Sequence, residues 1–141
     1  LGMNLSKKDI VYTIRANASI VEGPSAGAAL TVATIAALEG AETNRSVMMT
    51  GTIREDGTIG PVGGVLEKAK AAASIGAKKL LVPPGQSVEI TYETKKNCRQ
   101  MGWTEYCSTE TVQMSHDVAE ESGIHVVEVQ NVRSALGHFY T

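Results

Sequence analysis

Three observations predict an α/β (or α+β) fold for this chain, with a mixed sheet and helices packed on it. Strand-like and helix-like segments alternate along the sequence, glycines follow the helix-like segments, and Asp-Gly and Pro-Pro-Gly breakers separate the apolar runs. A length of 141 residues suits one domain with a single core.

Asp9–Arg15 alternates, with Ile10, Tyr12 and Ile14 on one face, and reads as a strand. Ala16–Gly23 is a connection. Ser25 to Glu39 reads as a helix, entered through Pro24 and stopped by Gly40. It is apolar nearly all round, so burial in the core is expected. Val47–Ile53 reads as a buried strand. Glu55-Asp56-Gly57-Thr58 is a hairpin signal with Asp-Gly as the turn pair, and Ile59–Val62 is the short return strand. Gly63-Gly64 opens a second helix, Val65–Ile75, ended by Gly76. Lys79–Val82 is a strand stopped by Pro83-Pro84-Gly85. Residues 86–112 are polar and poorly patterned, which predicts an inserted loop with short helices at most. Gln113–Ser122 reads as a helix ended by Gly123, Ile124–Val129 as a strand, and Asn131 as the cap of a last helix reaching Phe139. The sequence shows neither an internal repeat nor an interdomain linker.

Composition narrows the function classes. A formal net charge of −2 and an aromatic content of 4% give neither the basic footprint nor the stacking platforms of a nucleic-acid binder. No apolar run reaches the ~18 residues of a membrane span. The phosphate-loop pattern Gly-x-x-x-x-Gly-Lys-Ser/Thr does not occur, so ATP binding is not assigned to this chain. No cofactor or metal is expected. Cys98 and Cys107 are compatible with one disulfide or with two free thiols. His116, His125 and His138 do not stand at zinc-motif spacing from them.

Glu22-Gly23-Pro24-Ser25-Ala26-Gly27 places a serine at a loop-to-helix junction among small residues. There it can serve as an N-cap or present its hydroxyl to a carbonyl carbon. A serine hydroxyl needs a base within hydrogen-bond reach to act as a nucleophile. Lys68, flanked by small apolar residues in Glu67-Lys68-Ala69-Lys70-Ala71-Ala72-Ala73, is a candidate. A lysine amine acts as a base when burial or a nearby positive charge keeps it neutral. The alternative for a helical lysine is a solvated surface charge. Lys70 lies two residues on and faces elsewhere, so one lysine can be buried while the other is hydrated. His116-Asp117 invites a triad with Ser25, but adjacent residues on a helix diverge. The pairs Lys7-Lys8, Lys78-Lys79 and Lys95-Lys96 read as solvated surface.

Gly23-Pro24-Ser25-Ala26-Gly27, Met49-Thr50-Gly51, Gly60-Pro61-Val62-Gly63-Gly64 and Glu67-Lys68 stand in the order and spacing of the proteolytic domain of Lon-family proteases. The resemblance runs from about Asp9 to Pro83 and resumes weakly from about Gly123 to Leu136. It implies a Lon-like fold and a serine endopeptidase working by a Ser-Lys dyad. Ser25 maps to the nucleophile and Lys68 to the general base. Thr50 maps to a threonine whose hydroxyl can hold the lysine amine. Glu22 matches an acidic residue beside the serine loop, and the backbone N–H groups of Ser25 and Ala26 are expected oxyanion donors. The sequence departs from many members at Thr52, where they carry Glu, and at Thr13, where bacterial members often carry His. These positions bear on support and substrate path, and the dyad stands.

The resemblance also implies protein or peptide substrates and a homo-oligomer of hexameric-ring type. Residues 1–141 are expected to form a single Lon-like proteolytic domain shortened at its start. Met48–Ile53, Gly60–Ala73 and Pro84-Gly85-Gln86-Ser87 look most like ATPase-free archaeal Lon-like proteins, which are typically exported or membrane-tethered. That implies an exported or membrane-associated setting with any tether outside this chain; a cytoplasmic one is the alternative. A Lon-like scaffold used for binding or assembly without proteolysis is the competing function, and a folded but inactive protomer is a third.

Overall fold

A computed structural model describes residues 2–16 and 23–140. Its centre is a parallel sheet of three short strands in the order β1-β4-β7, where β1 is Val47–Met49, β4 is Lys79–Val82 and β7 is His125–Glu128. β4 pairs with both neighbours, Met48 opposite Leu80 and Leu80 opposite Val126. Strand geometry sends successive side chains to opposite faces. Leu81 therefore enters one core with Ala28, Val32, Ala135 and Phe139. Leu80 and Val82 enter a second core with Val65, Ala69, Val118 and Ile124.

Among the described residues, four α-helices cover these cores. α1 (Gly27–Glu39) and α4 (Val132–Phe139) lie on the Leu81 side. α2 (Val65–Ser74) and α3 (Val118–Ser122) lie on the other. The result is a three-layer α/β arrangement. Gly40, at φ 64°, closes α1 in the left-handed conformation that a Cβ disfavours. The Asn131 side chain accepts the Ser134 N–H at 2.9 Å and caps α4, as its position predicts.

Several elements differ from expectation. The segment expected as the strand Asp9–Arg15 forms neither strand nor helix among the described residues, and Ile10, Val11, Tyr12 and Ile14 are all exposed. Its alternation is real, but a strand also needs a partner. Tyr12 instead reaches the Thr34 hydroxyl on α1 at 2.6 Å. α1 itself buries one stripe, Ala28, Val32 and Ala36, and leaves Ala33 and Ala37 exposed. The expected strand Val47–Ile53 breaks at Thr50-Gly51 into β1 and β2 (Thr52–Ile53). β2 pairs antiparallel with β3 (Ile59–Gly60), shorter than the return strand expected to Val62. The connection between them holds five residues, 54–58. Gly57 N–H donates to the Arg54 carbonyl at 2.9 Å, and Gly57 takes φ 86°.

The largest correction falls on residues 86–112. In place of an irregular loop stands a long antiparallel hairpin, β5 (Val88–Met101) and β6 (Thr104–Asp117), in register from Val88 opposite Asp117 to Met101 opposite Thr104. Beyond its root both faces meet solvent, so both are polar and the apolar alternation that marks a half-buried strand is missing. Its β-forming Thr, Tyr, Val and Ile residues carried the remaining signal. The same pairing overrides the helix expected from Gln113. The chain stays extended to Asp117, whose carboxylate then accepts the Glu120 N–H at 3.0 Å and starts α3. Cys98 and Cys107 are directly opposed across the hairpin and joined by a disulfide.

Candidate active site

Ser25 sits in a single 3-10 turn, Pro24–Ala26, that feeds α1. Gly23 precedes it at φ 106°, a conformation open to glycine, and Pro24 supplies the fixed φ of a helix start. The turn is pinned to the break between β1 and β2. The Ser25 carbonyl accepts the Gly51 N–H at 2.9 Å and the Thr50 hydroxyl at 3.4 Å. The Gly51 carbonyl accepts the Ala28 N–H at 3.0 Å. Thr50 N–H in turn donates to the Leu81 carbonyl at 3.0 Å, which ties the serine turn to the central strand. The interruption that shortens the expected strand is thus what frees these groups for the serine loop.

Close approach explains the small residues here. A Cβ on Gly51 would lie 2.5 Å from the Ile59 Cγ2, and one on Gly27 would lie 3.0 Å from the Ile53 Cγ2. Both positions bring backbone against a packed side chain.

Lys68 belongs to the first turns of α2. The helix starts at Gly64, at φ 65°, with no side-chain cap of its own. Glu89 of β5 supplies one: its carboxylate accepts the Val65 N–H at 3.2 Å and the Leu66 N–H at 3.1 Å. A carboxylate there also complements the positive end of the helix. Gln86 clamps the approach to the helix, accepting the Val62 N–H at 2.9 Å and donating to the Val62 carbonyl at 2.6 Å. Lys68 is half-buried, whereas Lys70 is exposed and lies 3.7 Å from Glu67. Their separation onto two faces follows the helix period.

Ser25 and Lys68 come together in two adjoining clefts. One, of about 440 Å³, is also lined by Pro24, Thr52, Pro61 and Gly63. The other, of about 470 Å³, adds Met48, Thr50, Ala72 and Ile75. Among the described residues no hydrogen bond joins the two side chains. Thr50 is buried at 5% exposure, and its hydroxyl serves the Ser25 carbonyl where a brace for the lysine amine was expected. The Ser25 and Ala26 N–H groups lie in the first turn of the 3-10 helix, where helices leave donors without intrahelical partners. Glu22 lies outside the described residues.

His116 and Asp117 take no part in this site. His116 sits at the hairpin root between the Thr91 hydroxyl and the Glu121 carboxylate, each at 2.8 Å, and Asp117 caps α3. Gln86 and Glu89 escaped the sequence reading. Their partners stand more than twenty residues away, and a polar residue in a polar stretch carries no mark of such a contact.

The fold and the site define a class: an α/β domain that presents a helix-entry serine and a helix-borne lysine to common clefts. The chain belongs to the family described as the Lon protease (S16) C-terminal proteolytic domain, which matches residues 3–126. It is 40% identical over 82 residues to Lon protease 2 of Syntrophobacter fumaroxidans, covering 58% of this chain and 10% of that protein. It is 38% identical over 82 residues to the archaeal Lon protease of Archaeoglobus fulgidus, covering 58% of this chain and 13% of that protein. Against the archaeal Lon protease of Methanothermobacter thermautotrophicus it is 36% identical over 94 residues, covering 67% and 15%. The matched part of the chain thus spans a small fraction of each relative's length.

Proposed function

We propose that this domain is a serine endopeptidase that hydrolyses peptide bonds of protein substrates with Ser25 as nucleophile and Lys68 as general base. The observation that carries the reading is that both side chains line the same two clefts, in a chain of the Lon proteolytic family. Neutral Lys68 removes the Ser25 proton as the serine oxygen attacks the substrate carbonyl. The N–H groups of Ser25 and Ala26 receive the developing oxyanion, a type of contact worth ~3 kcal/mol. Lys68 then gives its proton to the leaving amine, and water, activated by the same amine, releases the acyl group from Ser25. Thr50 acts through the serine turn, holding the Ser25 carbonyl from behind. The lack of a hydrogen bond between the two side chains suits an unliganded site, because catalytic hydrogen bonds often tighten when substrate binds.

Ser25→Ala and Lys68→Ala are each expected to reduce cleavage of fluorescein-labelled β-casein below detection, with the fold retained by circular dichroism. Cleavage by either variant at the wild-type rate overturns the assignment. The homo-oligomer belongs to the same proposal. It is supported by the apolar outer face of α1 and the Asp9–Ile14 segment beside it, which leave apolar surface open. Sedimentation velocity tests it, and a monomer at all concentrations counts against a ring.

A further inference from the structure

The cleft that holds Ser25 and Lys68 does not end at Gly63. Val62 and Gly63 also line a neighbouring hollow of about 370 Å³ at the root of the hairpin, which Gln86, Val88, Glu89 and Ile90 line as well. The two depressions meet along the Val62–Gly63 backbone. Strand geometry carries an apolar strip outward from this hollow, because Val88, Ile90 and Tyr92 share one face of β5. They are 43%, 51% and 69% exposed.

The opposite face of the root is occupied. There Glu89 caps α2, and His116 bonds Thr91 and Glu121. Opposite Val88, Ile90 and Tyr92 on β6 stand Asp117, Ser115 and Gln113, all polar. The apolar strip is therefore bounded on one side by polar residues and leads on the other toward the serine.

We propose that this strip is a substrate subsite, binding an apolar stretch of the same extended polypeptide whose scissile bond lies over Ser25. The inference rests on the endopeptidase reading above. Continuity of the two depressions selects the occupant: a chain leaving Ser25 along Val62–Gly63 meets Ile90 next. The subsite is held in fixed register with the catalytic pair, since Gln86 grips the Val62 backbone and Glu89 grips the Lys68 helix. An unfolded protein rich in Leu and Val would be preferred over a short peptide that reaches Ser25 alone.

The test replaces the strip with Val88→Ser, Ile90→Ser and Tyr92→Ser together. All three side chains are exposed, so the body should keep its thermal midpoint. Two substrates are compared: labelled β-casein, and a fluorogenic dipeptide amide, whose extended length of ~7 Å is chosen to occupy the Ser25 cleft alone. The KM for casein should rise about ten-fold, the scale expected from losing the partial burial of three apolar side chains under the bound chain. Its kcat, and both constants for the peptide, should not change. Equal casein KM in the two proteins overturns the subsite.

If the wild type cleaves neither substrate, the endopeptidase reading fails on its own. The strip is then judged by casein binding to Ser25→Ala with and without the three serines, and equal affinity overturns it. A change in sedimentation coefficient caused by the three serines would make the strip a contact between copies and overturn it as well.

Discussion

An added Cβ at Gly51 would come within 2.5 Å of the Ile59 methyl and 3.3 Å of the Ala28 Cβ, deep in the body of the domain. Gly51 also gives and receives the backbone bonds that pin the serine turn. Gly51→Ala should therefore cost about 1–3 kcal/mol through overpacking, seen as a lower urea midpoint at unchanged slope. Cleavage should fall further than stability alone explains, because the displaced group is the support of Ser25. At this scale the sequence was most readable where a motif fixes several neighbours at once. Ser25 and Lys68 stand in such motifs. The partner of the Thr50 hydroxyl did not show, because the sequence cannot tell which polar group a buried threonine faces.

Among the elements, α2 depends most on a residue outside itself. Its cap comes from Glu89 on β5, so the helix that carries Lys68 is closed by the hairpin. Glu89→Ala should remove about 1 kcal/mol, the usual worth of an N-cap, and speed amide exchange at Val65 and Leu66 before the rest of the helix. Glu89→Gln keeps an acceptor and should lose less. Helices were largely legible from composition and terminal glycines, and β4 from its apolar run. The hairpin was not, since two solvated faces erase the alternation that reveals a strand. Asp9–Arg15 erred in the opposite direction: its alternation is clear, but no paired strand accompanies it among the described residues.

For the whole molecule, acid is a selective stress. The Ser87 hydroxyl, then the Gly85 N–H, hold the Glu128 carboxyl below the ordinary carboxylate range. The hydroxyl and N–H of Thr58 do the same for Asp56, with a smaller contribution from Arg54. A lowered carboxyl favours the folded state above its unfolded value, about pH 4, and loses that contribution as pH falls through the lowered value. Glu128 joins the end of the central sheet to the turn that launches the hairpin. Below about pH 4 the hairpin root should therefore loosen, and Glu128→Gln should flatten the acid limb of the stability curve. Acid titration of both proteins by circular dichroism checks this, and parallel curves would remove Glu128 from the account. The α/β class followed from the order of elements, but the contacts that couple the hairpin to the site needed three dimensions.

Val88 and Asp117 are paired neighbours, so the chain enters and leaves the hairpin at one place on the body. Every further pair adds about 3.4 Å of reach at no change to the junction. Removing opposed residues two pairs at a time would keep each remaining side chain on its own face. The hairpin is in this sense an adjustable gauge, whose length can change by insertion and deletion while the body below it stays the same.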